Sequence, residues 1–159
     1  MAAPFLVNID ELDESVVEYG IEEIRKYIPQ RDAFELLHGV FKIWNEEKVA
    51  VGYRDVGCDE FWVSGHIPGR PIFPGVLMIE AGAQLATFLM KKLTGDAPER
   101  FLGFGGLEHV RFRCPVEPGQ RLILLSRVSE VRSRRCIFDV QGAVNRRLVF
   151  EAQVIGVPV

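Results

Sequence analysis

The sequence predicts an α+β domain in which an antiparallel sheet wraps around one long buried helix. Two observations predict it. From Pro74-Gly75 to Leu93 the chain is apolar around the whole circumference of a helix, and a helix that is apolar all round is a buried one. After it, the segments 135–144 and 148–156 alternate apolar and polar residues with period two, the pattern of half-buried antiparallel strands. The chain has 159 residues, 48% apolar and 26% charged. That suits one core, with enough apolar surface to offset the entropy of ordering.

The elements follow in order. Residues 1–20 are acidic (Asp10, Glu11, Asp13, Glu14, Glu18) and read as a peripheral extension to a domain at 21–159. Ile21, Ile24 and Ile28 keep helical spacing until Pro29 stops them. Residues 34–44 lead into a first strand, Glu46-Glu47 is a turn, 48–56 is a second strand and 61–64 a short third. The Gly- and Pro-rich segment 64–71 is a rigid loop. Pro74 opens the long helix and Gly95 closes it, in the usual order of these two residues. At about 1.5 Å per residue the helix is about 30 Å long, the width of a small domain. Gly103-Phe104-Gly105-Gly106 lacks the Lys-Ser/Thr of a phosphate-binding loop and precedes no helix, so it reads as a bulged strand. Strands then follow at 122–131, 135–144 and 148–156. In the last, Phe150, Ala152 and Val154 share a face opposite Glu151 and Gln153, and Asn145-Arg146 turns the final hairpin.

Composition narrows the function. A net charge of −3 argues against nucleic acid as a partner. The charge is uneven: residues 1–110 carry 10 Lys/Arg and 18 Asp/Glu, whereas residues 111–159 carry 9 Arg and 4 Asp/Glu. Those arginines fit either solvated strand faces or a basic surface for an acidic partner. Cys58, Cys114 and Cys136 are odd in number and form no C-x-x-C pair, as in a reducing compartment such as the cytoplasm. His38, His66 and His109 lack ligand-like spacing, so no metal site is expected. The N-terminus has neither the basic region nor the apolar run of a signal peptide. Residues 72–90 are apolar but contain Glu80, and a central carboxylate costs roughly 2.5–3.5 kcal/mol to insert into a bilayer. No membrane span is expected.

Three features carry chemistry. Glu80 lies mid-helix among apolar residues with Gln84 one turn on; burial disfavours its charged form and should raise its pKa. A carboxyl kept protonated near neutral pH is what a general acid requires. A structural Glu tied to Gln84 or to a subunit interface fits the same pattern. His66, in the rigid loop, has a side chain able to accept a proton near pH 7, though a lone His is often structural. Pro74-Gly75 puts unpaired N–H groups and the positive end of a helix dipole where an approaching carbonyl oxygen could be polarised. Ordinary helix initiation would look alike.

The assembled string Gly65-His66-Ile67-Pro68-Gly69-Arg70-Pro71-Ile72-Phe73-Pro74-Gly75-Val76-Leu77-Met78-Ile79-Glu80-Ala81 resembles the active-site segment of the bacterial 3-hydroxyacyl-acyl-carrier-protein dehydratases. The FabZ branch is nearer, since the FabA branch typically has Asp at the place of Glu80. Ile21 to Arg31 resembles the family's opening helix and Pro-x-Arg turn, and Phe101 to Gly119 its next signature. The likeness extends over residues 21–156.

The resemblance implies a hot-dog fold, dimers in which His66 of one chain faces Glu80 of the other, and, as is frequent in the FabZ branch, trimers of such dimers. It implies that His66 removes the proton alpha to the thioester and that Glu80 protonates the leaving 3-hydroxyl. The Gly75 N–H would hold the thioester oxygen, and Phe73, Pro74, Val76 and Gln84 would line the substrate site. No metal or redox cofactor is implied. Acyl carrier protein becomes the acidic partner, with Arg111, Arg113, Arg132, Arg134 and Arg135 expected to dock it. The chain departs from the family at Gln30, at Asp32-Ala33-Phe34-Glu35-Leu36-Leu37-His38 where Tyr-Pro-Phe-Leu-Leu-Val-Asp is usual, at Gly82 and at Cys114. These bear on chain length and carrier contacts. A hot-dog thioesterase, with Glu80 activating water, and a non-catalytic acyl-binding subunit are the competing functions.

Overall fold

Tight turns set the register of the sheet. Asn145 and Arg146 both take positive φ, 48° and 61°, the conformation of a turn whose twist matches that of its flanking strands. They join the strands Arg135–Val144 and Arg147–Pro158, pairing Val144 with Arg147. The computed structural model describes residues 4–95 and 101–159. Its strands are β1 (Gly39–Trp44), β2 (Val49–Asp55), β3 (Leu102–Phe112), β4 (Arg121–Arg132), β5 (Arg135–Val144) and β6 (Arg147–Pro158). They form one antiparallel sheet in the order β1-β2-β4-β5-β6-β3. The helices are α1 (Ile21–Ile24) and α2 (Gly75–Thr94). This is the expected α+β hot-dog architecture.

Helix α2 is the filling of that sheet. Leu85, Phe88 and Leu89 share one buried cluster with Leu122, Leu124, Phe138 and Phe150 of the strands. Each side chain so buried contributes about 1.5–3 kcal/mol. The helix ends where Gly95 turns left-handed at φ 65° and its N–H bonds back to Lys91 O, a conformation that is cheap only for glycine.

The outer face is not left to solvent. Phe41, Val51, Ile123 and Leu125 form a second cluster with Ile9, against which Phe5, Leu6, Val7 and Leu12 pack. Gln141 anchors this strap: its Oε1 accepts from Leu6 N (2.9 Å) and its Nε2 donates to Pro4 O (2.9 Å). Arg146 adds a bond to Ile9 O at 2.7 Å. The acidic N-terminal segment therefore covers the outer face of the sheet around Phe41, Val51, Ile123, Leu125 and Ala143.

Two expectations need correction. The predicted strand at 61–64 is a run of turns, in which Val63 N bonds Glu60 O and both Gly65 N and His66 N bond Trp62 O. An apolar run pairs as a strand only where an open sheet edge meets it, and these residues curl locally instead. The opening helix is also shorter than its apolar spacing, ending at Ile24 before a turn carries the chain to the buried Ile28. The glycine-rich stretch does lie in a strand, and the β3–β6 register shifts between Phe104 and Gly106, as a bulge requires. Among the described residues, no helix is long and apolar enough to cross a membrane, and no cluster of His, Cys, Asp or Glu could hold a metal ion.

Candidate active site

The turn 61–65 delivers His66 to the start of α2. Its backbone N–H donates to Trp62 O (2.8 Å) and its carbonyl accepts from Ile72 N (2.9 Å). Its ring Nδ1 lies 2.9 Å from Ile72 O. A carbonyl only accepts, so Nδ1 carries a proton, and in the neutral ring the lone pair lies on Nε2. Main chain and side chain thus clasp the same residue, which fixes the orientation of the ring.

His66 borders a cleft of about 490 Å³ that also touches Phe73, Pro74, Gly75, Val76, Met78, Phe112, Arg113 and Cys114. Four of the residues expected at the substrate site are therefore together. Their parts differ. Phe73 is 2% exposed, its ring packed on Trp62 and its N–H given to Val116 O, so it shapes the cleft wall from inside. Val76 is 71% exposed at the rim. Pro74 caps α2 with no side-chain hydrogen bond, and a helix lacks internal partners for its first N–H groups. What approaches Gly75 is the ring of Phe112: a Cβ built there would lie 2.8 Å from it. A side chain at this position would have to push that half-exposed ring aside. Phe112 escaped the sequence reading as a site residue, although it lies within the second stretch that resembles the family.

Glu80 is not among the residues lining this cleft in the same chain. It is half-buried on α2, and burial raises its pKa, opposed by a hydrogen bond from Gln84. Gln84, expected to line the substrate site, takes a different place. Its Oε1 accepts from Leu36 N (3.1 Å), and its Nε2 donates to Phe34 O (2.9 Å) and Glu80 Oε1 (3.0 Å). With both polar ends engaged inside the protein and 1% exposure, it orients Glu80 and ties it to the segment before β1.

The five arginines separate into two groups. Arg111 and Arg113 lie at the end of β3 by the cleft, Arg113 ion-paired with Glu151. Arg132, Arg134 and Arg135 lie at the β4–β5 hairpin, where Glu130 pairs with Arg132 and Arg135. Arg113 bonds Val149, whereas Arg135 precedes the residue paired with Gly156. At about 3.3 Å per residue the groups stand roughly 25 Å apart along β6.

A family model described as the FabA-like domain matches residues 28–153. The chain is 37% identical over 135 residues to the 3-hydroxyacyl-acyl-carrier-protein dehydratase FabZ of Syntrophobacter fumaroxidans, covering 85% of this chain and 90% of that one. Among solved structures it is similar to the dehydratase heterocomplex ApeI:P from Xenorhabdus doucetiae, with a TM-score of 0.69 at 16% identity over 86% of this chain and 90% of that one. It is also similar to Cj0977, a sigma28-regulated virulence protein of Campylobacter jejuni, with a TM-score of 0.68 at 16% identity over 93% and 96%. At that identity the two structures speak for the fold alone. The chain belongs to the FabA-like family of hot-dog proteins, as a homologue of the FabZ dehydratases.

Proposed function

We propose that this protein dehydrates 3-hydroxyacyl groups carried on acyl carrier protein, giving the trans-2-enoyl product in cytoplasmic fatty-acid synthesis. The observation that carries the reading is Glu80, a half-buried carboxyl whose pKa is raised by burial, on the helix whose first turn meets the His66 cleft. His66 Nε2 takes the proton alpha to the thioester. That C–H electron pair becomes the C=C bond as the 3-hydroxyl leaves, and Glu80 supplies the proton that completes water. The thioester oxygen gains negative charge meanwhile and sits against the Gly75 N–H at the helix start. Proton exchange with solvent then resets imidazolium and carboxylate.

In this reading two copies share the chemistry, His66 of one working with Glu80 of the other, in dimers that can assemble further as trimers. The exposed edge supports pairing of copies. β3 is the outermost strand beside β6, and Phe101, Phe104, Leu107 and Phe112 are each more than two-fifths exposed along it. Bare apolar strand edges invite such pairing. Arg111 and Arg113, by the cleft, are the nearer candidates for the carrier's acidic surface; Arg132, Arg134 and Arg135 stand too far along the same protomer to share that contact.

Hydration of a crotonyl thioester tests the assignment. His66→Ala and Glu80→Gln should each lower kcat by about 10²–10⁴-fold while the dimer persists in sizing experiments. Release of free thiol by the unmodified protein, without interconversion of enoyl and 3-hydroxyacyl thioesters, would overturn it in favour of a thioesterase.

A further inference from the structure

Arg54 is the one cation in the interior of β2, and it is 3% exposed. Its Nη2 pairs with Glu60. Its Nη1 donates to Glu35 O (3.2 Å) and lies 3.3 Å from His38 Nε2. Its guanidinium covers the ring of Phe73 at 5.1 Å. None of these groups touches the reacting atoms of the proposed reaction, yet Glu60 and Glu35 O each lead to one that does.

One path runs through Glu60. Its carboxylate accepts from Gly57 N (2.6 Å) and Trp62 Nε1 (2.9 Å), which fixes the turn whose Trp62 carbonyl holds the His66 N–H. The other path runs through Glu35 O. Residues 34–36 are gripped by Arg54 from one side and by Gln84 from the other, and Gln84 also holds Glu80. We propose that Arg54 is a positioning residue for both His66 and Glu80, and that His38 makes its grip depend on protonation. The proposal rests on the dehydratase reading for what those two groups do.

The His38 ring explains the dependence. Asp55 N–H points at its Nδ1 (3.1 Å) and the Arg54 guanidinium at its Nε2. A neutral imidazole already has one N–H too many for this setting, and an imidazolium would oppose a donor at both nitrogens. The charges facing it are Arg54 and Asp55 from β2, Glu35 from the segment before β1 and Glu60 from the loop after β2. Burial and Arg54 outweigh the three carboxylates and lower its pKa. When acid does protonate His38, the new cation repels Arg54 and loosens the Arg54–Glu60 brace.

Arg54→Lys keeps the charge and loses the fork. Crotonyl-thioester hydration in this variant should show kcat lowered by about tenfold to 100-fold, with KM within about twofold because Arg54 does not line the cleft. Trp62 emission, isolated by Trp44→Phe on the far face of the sheet, should titrate with a midpoint below the ordinary imidazole value of 6.5. His38→Asn keeps an acceptor for Asp55 N–H and should abolish that titration. A kcat in Arg54→Lys within twofold of the parent, or a Trp62 titration unchanged by His38→Asn, overturns the proposal. If the unmodified protein turns nothing over, the dehydratase reading falls by itself, since the Trp62 signal reports the brace without substrate.

Discussion

Glu60 and Glu80 are both half-buried carboxyls, and their surroundings could hardly differ more. Glu60 faces the buried Arg54 and accepts two further hydrogen bonds. Glu80, among the described residues, has only the Gln84 amide. An ionised carboxyl in a sheltered place needs a cation or several donors; Glu60 has both and Glu80 neither. A paired carboxyl holds structure in place, whereas a sheltered one without a cation costs stability, a cost that the proposed proton-donor role of Glu80 would account for. The comparison breaks most directly at Glu80. Burial holds its pKa above the ordinary 4.5, so the folded state binds the proton more tightly than the unfolded chain does. The resulting penalty on the ionised form grows as pH rises through the folded value and is complete above it. Glu80→Gln removes the charge but keeps an acceptor for Gln84. It should cost at least about 100-fold in kcat while Tm at pH 8 equals or exceeds that of the parent, an advantage that disappears below pH 4.5. A Tm well below the parent at pH 8 would mean that Glu80 is structural.

At Glu60 the opposite holds. Arg54→Met strands a sheltered carboxylate, and removing one partner of a buried pair costs about 3–5 kcal/mol. The double variant Arg54→Met/Glu60→Gln should recover part of that loss, because no charge is left unpaired. Urea denaturation of the four proteins measures the coupling. Additive losses would erase the contrast between the two carboxyls.

The sequence made one of these carboxyls visible and hid the other. Glu80 stood out because α2 is apolar on every side, so a carboxyl there broke the pattern. The long helix, the bulge near Gly105 and the Asn145-Arg146 turn were legible for the same local reasons: periodicity, glycine and turn chemistry. Glu60 stands just before the run 61–64, outside every element the sequence predicts, and its significance depends on Arg54, which only the fold brings against it. Arg54, the one cation in the stretch 49–56, where the only other charge is its neighbour Asp55, was the available signal. Phe112 was hidden likewise, since its contact with Gly75 joins β3 to α2. The strap at 4–12 was concealed by its acidic residues, which face outward while Leu6, Ile9 and Leu12 turn in. Gln84 was seen, but side-chain saturation by Phe34 and Leu36 arises only from tertiary packing.

A smaller effect sharpens the comparison through pH. His38 sits beside the paired carboxyl, and its folded pKa is lowered by burial and by Arg54. The unfolded chain takes up a proton near pH 6.5 that the folded state resists. Stability contributed by neutral His38 is therefore intact above pH 6.5 and declines as pH falls from there toward the folded value. Thermal melts between pH 5 and 7.5 should show a decline on the acid side that His38→Asn reduces. An identical decline in both proteins would assign the acid sensitivity elsewhere.

The smallest effect is expected at Glu130, which separates pairing from burial. It takes bonds from Arg132 (3.0 Å) and Arg135 (3.1 Å) at the exposed tip of the β4–β5 hairpin, so it has more cationic partners than Glu60. Water competes for all three groups there, and exposed pairs are weak because solvation of the separated charges nearly matches their attraction. Glu130→Gln should leave Tm unchanged within error at 0.15 M salt. A loss comparable to that of Arg54→Met would show that pairing alone, and not shelter from water, sets the stake at Glu60.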